Sequence, residues 1–330
     1  MKKEKILVTG GAGYIGSHMS RMLAERGFDV VVFDSLERSS KKFLNYGSFF
    51  QGDLRNKKDV AAVFSEYPGI SAVFHFAAFM DVGESVKKPD LYFENNIGGT
   101  SNLVDEMELR GVNNLIFSST CAVYGIPSRI PIEENFPLSP VNPYGVSKKE
   151  AEKRIMSTAQ NGNLNYVIFR YFNVAGADPS GEIGEEHNPE THLIPLCFKA
   201  SSSGGFELSV FGEDYETGDG TCIRDYIHVN DLCEAHLKGF DYLKSGGEPD
   251  IFNLGNSRGF SVMEIIENIE KITGRKVRWK GAPRREGDPP ELVGSYEKAR
   301  RKLGWTPFYD DIAPIISSAV NYYQKSDSGS

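Results

Sequence analysis

The chain has 330 residues, 40% of them hydrophobic and 25% charged, and a formal net charge of -8 at pH 7. That acidic balance excludes nucleic-acid binding by the chain as a whole, which needs a basic face, and no apolar run is long enough to span a bilayer. The composition is that of an ordinary globular protein, long enough to bury its core without disulfides.

Between Lys5 and the first glycine stand only Ile6 to Thr9. That is too short for a signal-peptide core, so a cytoplasmic protein with no membrane partner is expected. This apolar run and those at "DVVVFD", "GSFFQGD", "AVFHFAA", "NLIFSST" and "YVIFRYFN" read as strands buried on both faces. Helical patterns lie between them, over Ile15 to Arg26, Lys57 to Tyr67, Tyr92 to Arg110 and Tyr144 to Ala159. Alternation of this kind implies an α/β fold with a doubly wound parallel sheet and a ligand crevice at the carboxyl ends of the strands.

After Ala177 the pattern loosens into Gly-, Pro- and acid-rich stretches, followed by a helix near Ser261 to Thr273 and a strand near Lys276 to Trp279. The division this supports is a Rossmann domain over 1–177 and a smaller α/β substrate-binding lobe over 178–330, with 224–255 returning to the first domain. The final "QKSDSGS" reads as a frayed tail. The four cysteines, Cys121, Cys197, Cys222 and Cys233, lack metal spacing and read as reduced thiols. His187 and His192 lie five apart in "HNPETHLIP" without a third ligand nearby, so no metal is expected.

The first chemical signal is "VTGGAGYIGSH", between the first strand and the first helix. Gly11, Gly13 and Gly16 match G-x-G-x-x-G, and Gly10, Gly13 and Gly16 match a second glycine spacing. Glycines here allow a tight turn and close approach of backbone to a pyrophosphate, which the helix N-terminus attracts. Asp34 ends the second strand, where an acid accepts from both ribose hydroxyls and repels a 2′-phosphate, so NAD is expected rather than NADP. Asp53 ends the third strand, within reach of an adenine.

The second signal is "NPYGVSK", which holds the only Tyr-x-x-x-Lys among fifteen tyrosines. On a helix, Tyr144 and Lys148 share a face, and an ammonium beside a phenol lowers its pKa towards that of a useful base. The plain alternative is an incidental pair on a surface helix.

Together with "FSSTCAVYG", "RYFNVAGA", "DGTCIRDYIHV" and "PRREGD", these stretches resemble the extended short-chain dehydrogenase/reductases, and among them the UDP-glucose (UDP-galactose) 4-epimerases. The likeness runs from about Lys5 to Trp305. It implies that Tyr144 is the catalytic base, that Lys148 binds the nicotinamide ribose and lowers the tyrosine pKa, and that Thr120 hydrogen-bonds the sugar 4-oxygen. It further implies NAD contacts from Gly10, Gly13, Tyr14, Ile15, Gly16, Asp34, Asp53, Leu54, Phe76, Ala77, Ala78, Asn95 and Tyr171. Substrate contacts fall to Thr120, Tyr144, Asn173, His192, Leu193, Phe211, Arg224, Arg285, Asp288 and Leu292. The implied reaction oxidises C4 of the hexose transiently and returns the hydride to either face, with NAD retained. A UDP-sugar substrate and a homodimer built on the helices of the first domain, including that of Tyr144, follow from the same likeness.

Simpler roles stand beside these. Arg224 has Asp225 and Asp231 nearby as ion-pair partners, Arg284 and Arg285 form an exposed basic pair, and Phe211 sits in a strand where core packing is equally natural. Sugar-nucleotide dehydratases carry an acid after the catalytic threonine, whereas Thr120 is followed by Cys121 and Ala122, which disfavours elimination of water. Met80 stands where many relatives have a cofactor-side lysine, which bears on how tightly NAD is held. Leu292 stands where relatives restricted to unsubstituted hexoses have a tyrosine, leaving room for a 2-acetamido group. The rival readings are another NAD-dependent sugar-nucleotide oxidoreductase or epimerase, one acting on a UDP-pentose for example, and a non-catalytic NAD-binding sensor.

Overall fold

The computed structural model describes residues 3–162, 164–202, 204–285 and 287–328. In chain order, β1 (Lys5–Thr9), α1 (Tyr14–Glu25), β2 (Asp29–Asp34), β3 (Ser48–Gln51), α2 (Lys57–Glu66) and β4 (Ile70–His75) come first. Two short helices follow, α3 (Val82–Lys87) and α4 (Pro89–Tyr92), and a π turn (Phe93–Gly98) leads into α5 (Gly99–Arg110). Then come β5 (Asn114–Thr120), α6 (Pro143–Asn161), β6 (Asn165–Tyr171), β7 (Asn173–Ala175), α7 (Leu193–Ser201), β8 (Leu208–Phe211) and β9 (Ile223–His228). The chain finishes with α8 (Val229–Lys244), β10 (Asp250–Leu254), β11 (Gly259–Ser261), α9 (Val262–Thr273), β12 (Trp279–Ala282), β13 (Glu291–Leu292), α10 (Glu297–Leu303) and α11 (Ile312–Ser328).

Two units emerge. The first takes Met1–Gly125, Pro137–Arg170 and Cys233–Phe252, and the second takes Ile126–Phe136, Tyr171–Leu232 and Asn253–Ser330. The first is built on a seven-stranded sheet of order β10-β6-β5-β4-β1-β2-β3. β1 runs parallel to β2 and β4, β2 to β3, and β4 to β5. The order turns back at β1, with β2 and β3 on one side and β4, β5 and β6 on the other. Such a switch point opens a crevice at the strands' carboxyl ends, because the loops after β1 and β4 leave in opposite directions. The central strands β1, β2, β4 and β5 are buried on both faces, whereas β3, expected to be buried too, is the edge strand, with Ser48 and Gln51 exposed and Phe49 and Phe50 half-buried. Leu7, Val31, Phe33, Val73, Leu115 and Ile168 pack with Leu103, Val104 and Met107 of α5 and Ala151 and Ile155 of α6.

In the second unit, β9 pairs antiparallel with β11 and parallel with β7 and β13, while β8 and β12 form a separate parallel pair. α9 begins with a capping box, Ser261 and Glu264 each satisfying the other's backbone N–H. Its Ile265, Ile266 and Ile269 pack against Cys197 and Phe198 of α7 and Ile315, Ile316, Ala319 and Val320 of α11.

The Rossmann-type parallel sheet with a smaller second lobe is as the sequence predicts. Some local features differ. The helix expected over Tyr92 to Arg110 is interrupted by the π turn, and the strand expected near Lys276 begins at Trp279. Gln324 to Ser328, expected to fray, continue α11, while Gly329 and Ser330 lie outside the described residues. No helix among the described residues is long and apolar enough to cross a membrane.

Candidate active site

β1 delivers the glycine loop. Gly10 has φ +70, and a Cβ there would stand 2.6 Å from the Ala77 amide nitrogen. Its N–H donates to the Phe33 carbonyl at 2.8 Å. The loop is thus pressed on the backbone after β4, which gathers Gly10, Phe76, Ala77 and, next along the chain, Ala78. A side chain on Gly16 would run into the Gly10 carbonyl oxygen. α1 starts from Gly13, which offers no side-chain cap, and carries no acid in its first turn. The helix N-terminus is left to an anion from outside, next to Tyr14, Ile15 and Gly16.

Asp34, 8% exposed, accepts from the Ala12 amide at 3.0 Å, the Leu36 amide at 2.9 Å and the Ser39 hydroxyl at 2.8 Å. The acid is locked against the glycine loop before any ribose arrives. A tight loop, an uncapped helix start and a fixed acid fit a dinucleotide. Asp53 and Leu54 follow β3 and have partners of their own. Arg55 clasps the Asp53 carboxylate, with Nε 2.9 Å and Nη2 2.6 Å from Oδ2, and Leu54 is part of the core.

Thr120 ends β5, and its hydroxyl accepts from the Ala122 amide at 3.1 Å. α6 starts nearby for local reasons: Asn142 caps it by accepting from the Gly145 amide at 2.8 Å, and Pro143 occupies the first turn. A Cβ on Gly145 would stand 2.6 Å from the Ala122 carbonyl oxygen, so this glycine lets the helix start press on the turn after Thr120. As a result the Thr120 hydroxyl reaches the Tyr144 phenol. Burial drives that phenol up to about 12, the Thr120 hydrogen bond pulls it down, and Cys121 pushes it up.

Lys148, one turn further along α6, is 3% exposed. Its ammonium donates to the Ser118 carbonyl at 2.7 Å and lies 4.8 Å from the Phe117 ring centroid. Burial pushes it down to about 7, and Glu152 pulls it up. The Ser118 carbonyl thus fixes where the Lys148 ammonium sits, and Thr120 is the group that lowers the phenol here. The ammonium is directed at the strand end instead of at Tyr144.

The sequence reading passed over several supporting residues. Glu152 is fully buried, receives Arg170 Nη2 at 2.6 Å and Nε at 2.9 Å, and accepts from Ser119. Asn96, 1% exposed, bonds both backbone groups of Phe79 and the Ser147 hydroxyl. It thereby joins the π turn, the loop after β4 and α6. Asn95, expected at the cofactor, donates to the Asn96 side chain at 2.9 Å. The repeated asparagine of "FENN" was a usable signal, since buried amides need partners. His75, 1% exposed between Thr9 and Thr100, is pushed down to about 3 by burial and then by Lys148, and stays neutral.

The second unit holds the other residues expected at the substrate, beyond Thr120 and Tyr144. Leu292 is in register with Arg224, and Asn173 with Tyr226, on strands flanking β9. Arg224 Nη2 is 3.2 Å from Asp288 Oδ1. Its acidic partner is thus neither Asp225, which accepts from the amides of Asn256, Ser257 and Gly294, nor Asp231, which accepts from that of Tyr309. Arg285 lies 4.1 Å from the Phe211 ring centroid and makes no ion pair among the described residues, whereas Arg284 pairs with Asp214 at 2.7 Å. Tyr171 ends β6, Leu193 opens α7, and His192 is that helix's N-cap. The segment before α7 folds so that Glu185 and Glu190 meet His187 and His192, which supplies the further ligand types that the sequence spacing lacked.

Known proteins agree with this geometry. The sequence pattern of the NAD dependent epimerase/dehydratase family matches residues 6–255. A UDP-glucose 4-epimerase of Streptococcus mutans is 47% identical over 326 residues, 98% of each chain. The crystal structure of UDP-glucose 4-epimerase from Brucella ovis in complex with NAD superposes with a TM-score of 0.93 at 45% identity, covering 97% of this chain and 98% of that one. The UDP-Glc/GlcNAc 4-epimerase of Campylobacter jejuni gives a TM-score of 0.84 at 40% identity, covering 98% of this chain and 99% of that one. With its glycine loop, its fixed acid and its Thr–Tyr–Lys set in place, the chain belongs to the NAD dependent epimerase/dehydratase family.

Proposed function

We infer that the protein is a UDP-hexose 4-epimerase, an isomerase that interconverts UDP-galactose and UDP-glucose with NAD as its resident cofactor. One observation carries the reading: a chain alike over its whole length to UDP-glucose 4-epimerases has Thr120 hydrogen-bonded to Tyr144, with Lys148 one helical turn on. NAD, when bound, supplies a reversible acceptor for the hydrogen on C4. Tyr144 Oη takes the proton of the sugar 4-hydroxyl and gives it back, while the Thr120 hydroxyl orients the same oxygen. Arg224 and Arg285 hold the diphosphate by charge-assisted hydrogen bonds, and Phe211 and Leu193 pack on the uridine. Holding the nucleotide while the hexose ring turns exposes both faces of C4 to one set of groups. Cys121 and Ala122 provide no acid for elimination, which favours epimerisation over dehydration. The working form is a cytoplasmic homodimer by family resemblance, and light scattering of the purified protein tests the dimer.

The deciding assay incubates the protein with UDP-galactose and no added cofactor. UDP-glucose forms and no reduced nicotinamide accumulates. Net reduction would assign the site to a dehydrogenase, and no conversion with NAD still bound would favour another sugar nucleotide or a sensor.

A wider substrate range has its own observation. Leu292, partly buried and in register with Arg224, stands by family resemblance where relatives restricted to unsubstituted hexoses have the larger tyrosine. This supports the proposal that UDP-GalNAc and UDP-GlcNAc are taken as well. Leu292→Tyr lowers kcat/KM for the N-acetyl pair by about 10–200-fold while sparing the hexose pair. Equal losses on both pairs would remove the steric explanation.

A further inference from the structure

Glu185, His187, Glu190 and His192 each offer one ligand atom, and all four atoms lie within 4.8 Å of one another. His192 Nδ1 is 3.0 Å from Glu185 Oε1 and 2.9 Å from Glu190 Oε1. His187 Nδ1 is 3.4 Å from Glu185 Oε1 and 3.6 Å from Glu190 Oε2. A tetrahedral zinc with bonds of about 2.0–2.1 Å separates its ligand atoms by about 3.3 Å; Glu185 Oε1 lies 3.0 and 3.4 Å from the two imidazole nitrogens, and Glu190 approaches His192 with Oε1 and His187 with Oε2. We propose that these four side chains form a structural site for a first-row transition dication, zinc foremost, that ties the 185–192 segment to the start of α7.

The donor set selects the ion. Two imidazoles favour zinc, cobalt or nickel over magnesium and calcium, which take oxygen ligands. Two neutral imidazoles, two carboxylates and one dication sum to zero charge, so a buried carboxylate is compensated where it stands. Glu185 is that carboxylate, at 4% exposed. The two imidazole rings, with centroids 4.7 Å apart, face the same two acids. Outer contacts hold the ligands in place: Glu190 Oε1 also accepts from the amides of Thr191 and His192, each at 2.8 Å. Four protein ligands fill a tetrahedron and leave no position for a reacting molecule, so the role is structural. Its mechanical effect falls on α7, whose N-cap is His192 and whose first residue is Leu193. The segment also meets α11, where Tyr322 donates to the Glu186 carboxylate and Tyr323 to the Glu185 carbonyl.

The site borders the epimerase reading, which takes His192 and Leu193 as substrate contacts, but its test does not depend on that reading. The full-length protein, without a histidine tag, is dialysed against metal-free buffer, loaded with zinc and analysed by mass spectrometry for metal content. About one zinc per chain is retained, and cobalt(II) in its place gives the intense visible absorption of a tetrahedral centre. His187→Gln and Glu185→Gln, checked for folding by circular dichroism, each weaken zinc at least tenfold in competition with a chromophoric chelator. A chelator lowers the melting temperature of the parent protein and not that of His187→Gln. No zinc taken up, or an unchanged melting temperature with chelator, would overturn the site and leave an imidazole–carboxylate network. Zinc held equally by both variants would overturn it too. Should neither variant fold, the stoichiometry and cobalt spectrum of the parent protein decide.

Discussion

Tyr144 becomes a base only where something offsets its burial. Of the contributions acting on its phenol, burial and Cys121 oppose ionisation and the Thr120 hydrogen bond favours it. In Thr120→Val the favourable contribution is lost, so the pKa rises and the ionised fraction at neutral pH falls about tenfold for each unit. Its kcat accordingly drops at pH 7 and recovers partly at higher pH, which a pH–rate profile detects. Tyr144→Phe has no proton to exchange and loses about 10²–10⁴-fold at every pH. A flat, equal loss in both variants would show that Thr120 only positions the sugar. The lysine illustrates how far spacing carries. Four residues on a helix set which face Lys148 shares with Tyr144, but the Ser118 carbonyl decides where its ammonium ends.

At the scale of elements, one buried ion pair joins three of them. Glu152 on α6 holds Arg170 on β6 and accepts from Ser119 on β5, and Arg170 Nη1 donates to Tyr124 at 3.1 Å. The same α6 carries Tyr144 and Lys148. Glu152→Gln leaves the guanidinium buried without its charge partner, at a cost of about 3–5 kcal/mol. Denaturant unfolding measures that loss, and a cost below about 1 kcal/mol would mean water reaches Arg170. No sequence pattern announces this pairing, because 18 residues separate its partners. The π turn is equally hidden. Apolar periodicity predicted one helix through Tyr92 to Arg110, but Asn96 must bond Phe79 and Ser147 at once, and the wider turn accommodates it. Such turns recur at functional sites.

For the whole molecule, NAD contributes stability as well as chemistry, since a ligand bound only by the folded state shifts the folding equilibrium. At a free concentration one hundred times its dissociation constant it adds about 2.7 kcal/mol. Stripping it lowers the melting temperature by about 5 °C, read by calorimetry with and without added NAD. Equal melting temperatures would mean that the glycine loop is not a tight dinucleotide site. Met80, 39% exposed where relatives carry a lysine, is the place to look for weak retention.

The amino-acid sequence alone determined what depends on neighbours along the chain. The glycine spacing between a strand and a helix, the acid closing β2, the cap that starts α6 and the shared face of Tyr144 and Lys148 are all set by local backbone geometry and side-chain period. Only the tertiary structure decided which distant groups meet. It gave Arg224 Asp288 in place of its neighbours in sequence, turned Lys148 to Ser118, and folded 185–192 so that two acids face two histidines. Those partnerships depend on which charge or amide, once buried, must find a partner in space, and spacing along the chain carries no such information.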